Sequence, residues 1–100
     1  MDLKLLKLVT IVAEAVISDK IIREIKALGA TGYTVTAAEG QGSRGVRASE
    51  WEGKNMRIET LVSEAVSEAI LQMLATHYFP NYAVVAYVED VRVVRGDKYV

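Results

Sequence analysis

The segment Tyr82-Ala83-Val84-Val85-Ala86-Tyr87-Val88 constrains this chain most, because it shows almost no polar alternation. A strand with one solvated face alternates apolar and polar residues, whereas one that is apolar throughout is buried on both sides. One hundred residues make one domain with a real core but a largely exposed surface. A chain of that size has too little material to cover both faces of its own sheet. Its sequence therefore predicts a homo-oligomer.

The remaining pattern supplies the other elements. Residues 5–12 are rich in Leu, Val and Ile and read as a buried strand. Ser18 is placed to cap a helix with Asp19 in its first turn, where a negative charge suits the helix dipole. Ile21, Ile22, Ile25 and Leu28 form its apolar stripe, and Gly29 ends it. Residues 32–38 read as a second strand, with Tyr33, Val35 and Ala37 on one face and Thr34 and Thr36 on the other. Residues 56–62 form a third, with Met56, Ile58, Thr60 and Val62 facing one way. Ser63 caps a second helix in which Val66, Ile70, Met73, Leu74 and His77 follow helical steps, and Pro80 stops it. Three aromatic residues in Tyr78-Phe79-Pro80-Asn81-Tyr82 read as core and helix-stop chemistry. Residues 82–88 form a strand and residues 91–94 a shorter one. The expected fold class is α+β: a ferredoxin-like βαββαβ with a short extra C-terminal strand, an antiparallel sheet and both helices on one face.

Composition narrows the function classes. Hydrophobic content of 51% and charged content of 25% describe a globular chain. The net charge of -1 weighs against a general nucleic-acid binder. No apolar run is long enough to cross a bilayer, and no signal-peptide layout is present. The absence of cysteine removes disulfide and thiol chemistry and favours a cytosolic address. His77 is the single histidine and reads as a helix-end structural residue, so no nucleophile–base constellation is visible.

Chemistry concentrates in residues 39–55, a polar stretch with four glycines and no helical or alternating period. Loops longer than about 12–15 residues in compact domains are usually functional or disordered. In Gly40-Gln41-Gly42-Ser43-Arg44-Gly45-Val46-Arg47, the glycines permit a nest of backbone N–H groups, and Ser43 adds a donor. Arg44 and Arg47 add planar forks that match phosphate oxygens. The segment is either an anion site or a flexible hairpin with solvated charges. Trp51 either folds back onto the domain or anchors a protein partner, with Glu50 and Glu52 beside it. Arg92 and Arg95 flank the last strand and either complete an anion pocket or are ordinary exposed charges, while Gly96 gives the chain a turn.

These residues resemble the PII superfamily over nearly the whole chain, from Lys7 to about Gly96. The resemblance is carried by Gly32-Tyr33-Thr34-Val35, the glycine- and arginine-bearing segment at residues 40–47, Arg57-Ile58-Glu59, Tyr78-Phe79-Pro80-Asn81-Tyr82 and Val91-Arg92-Val93-Val94-Arg95-Gly96. Within the superfamily the chain looks most like the PII-like SbtB proteins of cyanobacteria, because ordinary PII proteins differ at the Gly-Ser-Arg element. The resemblance implies a single PII-like domain over residues 1–100 with a mobile T-loop at about 39–55. It further implies a homotrimer binding AMP, ADP, ATP and cyclic AMP in inter-subunit clefts, with room for a divalent cation beside ATP. Gly40, Gly42, Ser43, Arg44 and Arg47 would hold phosphate. Thr34 and Leu61 would line the adenine or ribose side, Asn81 and Tyr82 the other wall, and Arg92 would contact phosphate.

The implied role is a non-enzymatic regulator of inorganic-carbon uptake. It would bind the sodium-dependent bicarbonate transporter SbtA at the inner face of the plasma membrane through Glu50, Trp51 and Glu52. Val94 stands where ordinary PII proteins carry a second arginine, and Phe79-Pro80-Asn81-Tyr82 replaces their glycine- and lysine-rich B-loop. Both departures point away from ATP/2-oxoglutarate sensing. With no cysteine, the redox control of some SbtB proteins is not carried over. The competing readings are a CutA-like trimeric metal-tolerance protein, an RNA-recognition module and a nucleotide-hydrolysing PII-like enzyme. A single histidine suits soft metals poorly, and residues 56–62 lack the aromatics on which such RNA modules stack bases.

Overall fold

The computed structural model describes residues 1–39 and 54–100. Strands β1 (Leu3–Glu14), β2 (Thr34–Ala38), β3 (Asn55–Val62) and β4 (Val85–Val94) alternate with helices α1 (Ala15–Leu28) and α2 (Glu64–His77) in βαββαβ order. A short 3-10 helix, Gly96–Tyr99, follows. The four strands form one antiparallel sheet in the order β2-β3-β1-β4.

Strand alternation and register assign every side chain to a face. Val9, Ile11 and Ala13 of β1 share a face with Met56, Ile58 and Thr60 of β3 and with Ala86 and Val88 of β4. Against that face the helices place Ile17, Ile21 and Ile25 from α1 and Ile70 and Leu74 from α2, and these residues form the buried core. Leu8, Thr10 and Val12, with Leu61, Glu59 and Arg57 across from them, belong to the opposite face. Among the described residues no helix covers it: Leu6 and Thr10 are buried there, but Val85 is 58% exposed and Tyr87 45% exposed.

Local chemistry explains the helix ends. The Val66 N–H donates to Ser63 Oγ at 3.2 Å, so Ser63 caps α2 as its sequence predicts. Gly29, at φ 124°, closes α1; its N–H donates to the Lys26 carbonyl, and the next N–H, of Ala30, to that of Ile25. The start of α1 differs from expectation. The helix begins at Ala15 directly from β1, with no side-chain cap on Glu14, and the Ala15 N–H is satisfied by the Lys54 carbonyl at 3.1 Å. Ser18 lies inside the first turns, buried, and its hydroxyl donates back to the Ala15 carbonyl. Of the expected stripe, Ile21 and Ile25 are buried, Ile22 partly so, and Leu28 is exposed.

The last strand also differs. The separate strands expected at 82–88 and 91–94 are one, β4 (Val85–Val94), and among the described residues there is no extra C-terminal strand. Glu89 and Asp90, between those two stretches, lie within β4: Asp90 is opposite Lys7 in register and accepts a hydrogen bond from its ammonium group. Glu89 and Asp90 are both exposed on an edge strand, so the strand carries its charges in contact with water without leaving the sheet. Beyond Asp90, residues 3–6 and 91–94 pair only with each other, a two-stranded ribbon that extends past β3. Arg95 then reverses the chain at φ 61° and ψ 36°, a left-handed conformation that costs a non-glycine residue roughly 1–2 kcal/mol. The turn attributed to Gly96 is thus made by Arg95.

Tyr78 joins the two helices. Its ring is buried at the end of α2, its hydroxyl donates to Glu24 of α1, and the Lys20 ammonium stands 5.9 Å from its ring centroid. Burial raises the hydroxyl pKa above its ordinary value, and the Glu24 carboxylate raises it further. The folded protein therefore holds this proton more tightly than the unfolded chain, and its contribution falls away as pH climbs above about 10. Replacing Tyr78 with Phe should cost about 1 kcal/mol at neutral pH and remove that share of the alkaline destabilisation. Urea unfolding of both proteins at pH 7 and pH 11 checks it.

Candidate functional site: a cavity on the open sheet face

On the open face, at the end of the sheet where β2 begins and β3 finishes, lies a cavity of about 560 Å³. Leu8, Tyr33, Thr34, Glu59, Leu61 and Tyr99 all line it. Register explains the grouping: Leu8 faces Leu61, and Thr34 faces Glu59, so all four side chains belong to one face. A volume of this size lies within the range of small-ligand sites, roughly 300–1,000 Å³.

The segment leading into β2 is held from the neighbouring strand. Thr60, buried on β3, donates its hydroxyl to the Gly32 carbonyl at 2.6 Å. That bond fixes Gly32 and hence the placement of Tyr33 and Thr34 on the rim. The strand itself starts at Thr34 rather than Gly32, so Tyr33 leaves the alternation that would put it with Val35. Val35 packs against the core, while Tyr33 lines the cavity.

The walls are mostly apolar or aromatic, and Glu59 is the acidic residue among them. A phosphate about 4 Å from that carboxylate would meet a repulsion on the order of 4 kcal/mol per unit charge at a partly exposed site. The cavity thus suits the uncharged end of a ligand: a flat or apolar body with hydroxyl or amino donors for Glu59 and acceptors or donors for Thr34.

Thr34 and Leu61, two residues singled out in the sequence, are brought together here. Asn81 and Tyr82 are exposed in the turn after α2, where both their N–H groups donate to the Tyr78 carbonyl. They precede β4, at the opposite edge of the sheet from β2. Arg92 is exposed on the ribbon opposite Leu5, on the other face from the cavity. Gly40, Gly42, Ser43, Arg44, Arg47, Glu50, Trp51 and Glu52 lie outside the described residues. Among the described residues, no group of three or more His, Cys, Asp or Glu side chains is arranged to hold a metal ion. No helix among them is long and apolar enough to cross a membrane.

Comparison with known proteins gives this geometry a family. The family model described as nitrogen regulatory protein P-II matches residues 6–98. The chain belongs to the PII family. A PII-like signalling protein from Thermus thermophilus is 57% identical over the full length of both chains, and its crystal structure superposes with a TM-score of 0.87. CPII from Thiomonas intermedia, solved with ADP, AMP and acetate, shares the fold at a TM-score of 0.87. It is 23% identical, over 99% of this chain and 98% of its own. CutA from Synechococcus elongatus also shares the fold, at a TM-score of 0.71 and 12% identity over 98% of this chain and 91% of its own. This protein is accordingly a PII-like signalling protein on the ferredoxin-like scaffold that its sequence predicts.

Sequence reasoning did not assign Tyr33, Glu59 or Tyr99 to the site. For Tyr33 a signal existed: an aromatic residue directly before a threonine-rich strand, free to turn either way. Tyr99 carried none, because only the reversal at Arg95 brings it back over the sheet. If the Thr60 hydroxyl anchors the rim, Thr60→Val should destabilise this PII-like protein by about 1–3 kcal/mol, leaving the Gly32 carbonyl without that partner. Thr60→Ser, which keeps the hydroxyl, should lose clearly less in the same denaturant titration.

Proposed function

We propose that this PII-like protein binds adenine nucleotides in clefts between the subunits of a homotrimer and reports their identity to a partner through residues 39–55. The observation that carries the reading is the cavity itself, apolar and aromatic with one carboxylate, on the sheet face that no helix among the described residues covers. The nucleotide-bearing CPII structures, which share this fold, support the choice of ligand.

The electrostatics orient that ligand. Base and ribose enter the cavity beside Thr34, Leu61 and Glu59, and the phosphates point away from Glu59. Toward them come the donors of Gly40, Gly42, Ser43, Arg44 and Arg47, which follow β2 in sequence. Asn81 and Tyr82 belong to the opposite edge of the sheet and Arg92 to its other face, and none of the three lines the cavity of its own subunit, so their role calls on a neighbour that presents its β4 edge. The same neighbour covers the open apolar face.

Signalling needs differential affinity, because a nucleotide that binds both states of its partner-contacting segment equally shifts neither. The number of phosphates is the natural discriminator, as charge at Arg44 and Arg47 changes while the base contacts stay constant. The SbtB-type Gly-Ser-Arg element further supports a regulator of inorganic-carbon uptake. In that reading Glu50, Trp51 and Glu52 contact the bicarbonate transporter SbtA at the cytoplasmic face of the plasma membrane, ATP brings a divalent cation, and the protein has no catalytic role.

The test is calorimetric titration of the purified protein with AMP, ADP, ATP and cyclic AMP. Arg44→Ala and Arg47→Ala should each weaken ATP roughly ten- to a hundredfold, the loss of one charge-assisted contact, while the trimer mass is unchanged. Wild-type affinity in both variants would remove the phosphate assignment.

A further inference from the structure

The C-terminal turn builds a wall of the cavity that neither β2 nor β3 provides. After β4 ends at Val94, opposite Leu3, the left-handed Arg95 turns the chain back. The Lys98 N–H donates to the Arg95 carbonyl at 3.2 Å and closes the turn. Gly96 then lies so near β1 that a Cβ on it would come within 2.6 Å of the Lys4 Cβ. Lys4 belongs to the open face, since it alternates with Leu5 and shares the parity of Leu6 and Leu8. The turn therefore crosses β1 on the side that carries the cavity. Lys4 and Asp97 also form an ion pair at 3.3 Å, but Asp97 is 93% exposed, so the pair adds little. Close backbone approach at Gly96, rather than charge, sets the position of this hook.

The hook delivers Tyr99, half-buried, to the cavity that Tyr33, Thr34, Glu59 and Leu61 line. Two phenol rings, neither sealed in the core, stand at one site with aliphatic walls and one carboxylate. An aromatic heterocycle gains most from such walls, because stacking on an aromatic side chain rewards any flat π-face. Arg95 reinforces the point: a non-glycine residue held in a left-handed conformation persists where the surroundings over-determine it.

We propose that Tyr99, placed by the Gly96 hook, stacks on the base of the bound nucleotide and is a ligand-binding residue of this site. The inference rests on the nucleotide reading above and adds to it a residue from the C-terminal turn. Because the contact is with the base, its contribution is the same whatever the phosphate number. The arginines of residues 40–47 behave in the opposite way.

The experiment is calorimetric titration of the full chain with AMP and with ATP, for wild type, Tyr99→Ala, Tyr99→Phe and Gly96→Ala, alongside the mass of each assembly. Tyr99→Ala should weaken AMP and ATP by the same factor, roughly five- to a hundredfold, with wild-type assembly mass. Tyr99→Phe should retain wild-type affinity, and Gly96→Ala, which forces the hook off Lys4, should weaken both nucleotides as Tyr99→Ala does. If wild type binds and Tyr99→Ala binds equally well, the Tyr99 assignment is wrong while the nucleotide reading stands. A loss in Tyr99→Phe equal to that in Tyr99→Ala would replace stacking by a hydroxyl contact and overturn the proposal. So would a loss that grows with phosphate number or that accompanies a change in assembly mass. If wild type binds neither nucleotide, both readings fall together.

Discussion

Among the described residues helices cover only one side of the sheet, and most of what is distinctive in this protein follows from that asymmetry. On the covered side, Val9, Ile11, Ile58, Ile21, Ile25, Ile70 and Leu74 are fully buried. On the other side, Val85 and Tyr87 remain open to water beside the partly buried Leu8, Leu61, Val91 and Val93. Covering apolar surface contributes about 25 cal/mol per Å², and contiguous exposed apolar patches on a monomer usually mark an interaction site. The open face also carries the cavity and the C-terminal hook. Assembly and ligand binding are therefore drawn to the same surface in the proposed function, each shaping the other.

Charge divides the labour within that site. Glu59 makes the cavity inhospitable to phosphate, whereas Arg44 and Arg47 are suited to it. In the proposed function a nucleotide resolves that conflict by lying with its neutral end inside and its anionic end toward residues 40–47. On this account the base secures occupancy and the phosphate count carries the signal. The PII family assignment, resting on residues 6–98 and on a 57% identical PII-like signalling protein, agrees with a sensor of this kind.

Much of the architecture could be read from residue periodicity. The apolar run at residues 82–88 anticipated the uncovered face, and Ser63, Gly29 and the Ile21–Ile25 spacing anticipated helix ends and core contacts that the structure shows. What misled was chemistry satisfied at a distance. Ser18-Asp19 has the form of a helix cap, but the first N–H of α1 is met by the Lys54 carbonyl, a partner far along the chain. Glu89-Asp90 has the form of a strand end, but on an edge strand both carboxylates stay in water while the backbone keeps its pairing to β1. Of the residues lining the cavity, Thr34 and Leu61 are ones the resemblance singles out. Glu59 and Tyr99 were not legible, because only sheet register and the reversal at Arg95 bring them to the same cavity.

The most direct test is the mass of the purified protein in solution, measured by light scattering across a dilution series down to low micromolar concentration. An open face that is completed by other copies of the chain predicts three chains per particle throughout, with or without nucleotide. A stable single-chain particle would contradict the account, since the apolar face and the cavity on it would then have to stand in water unaided.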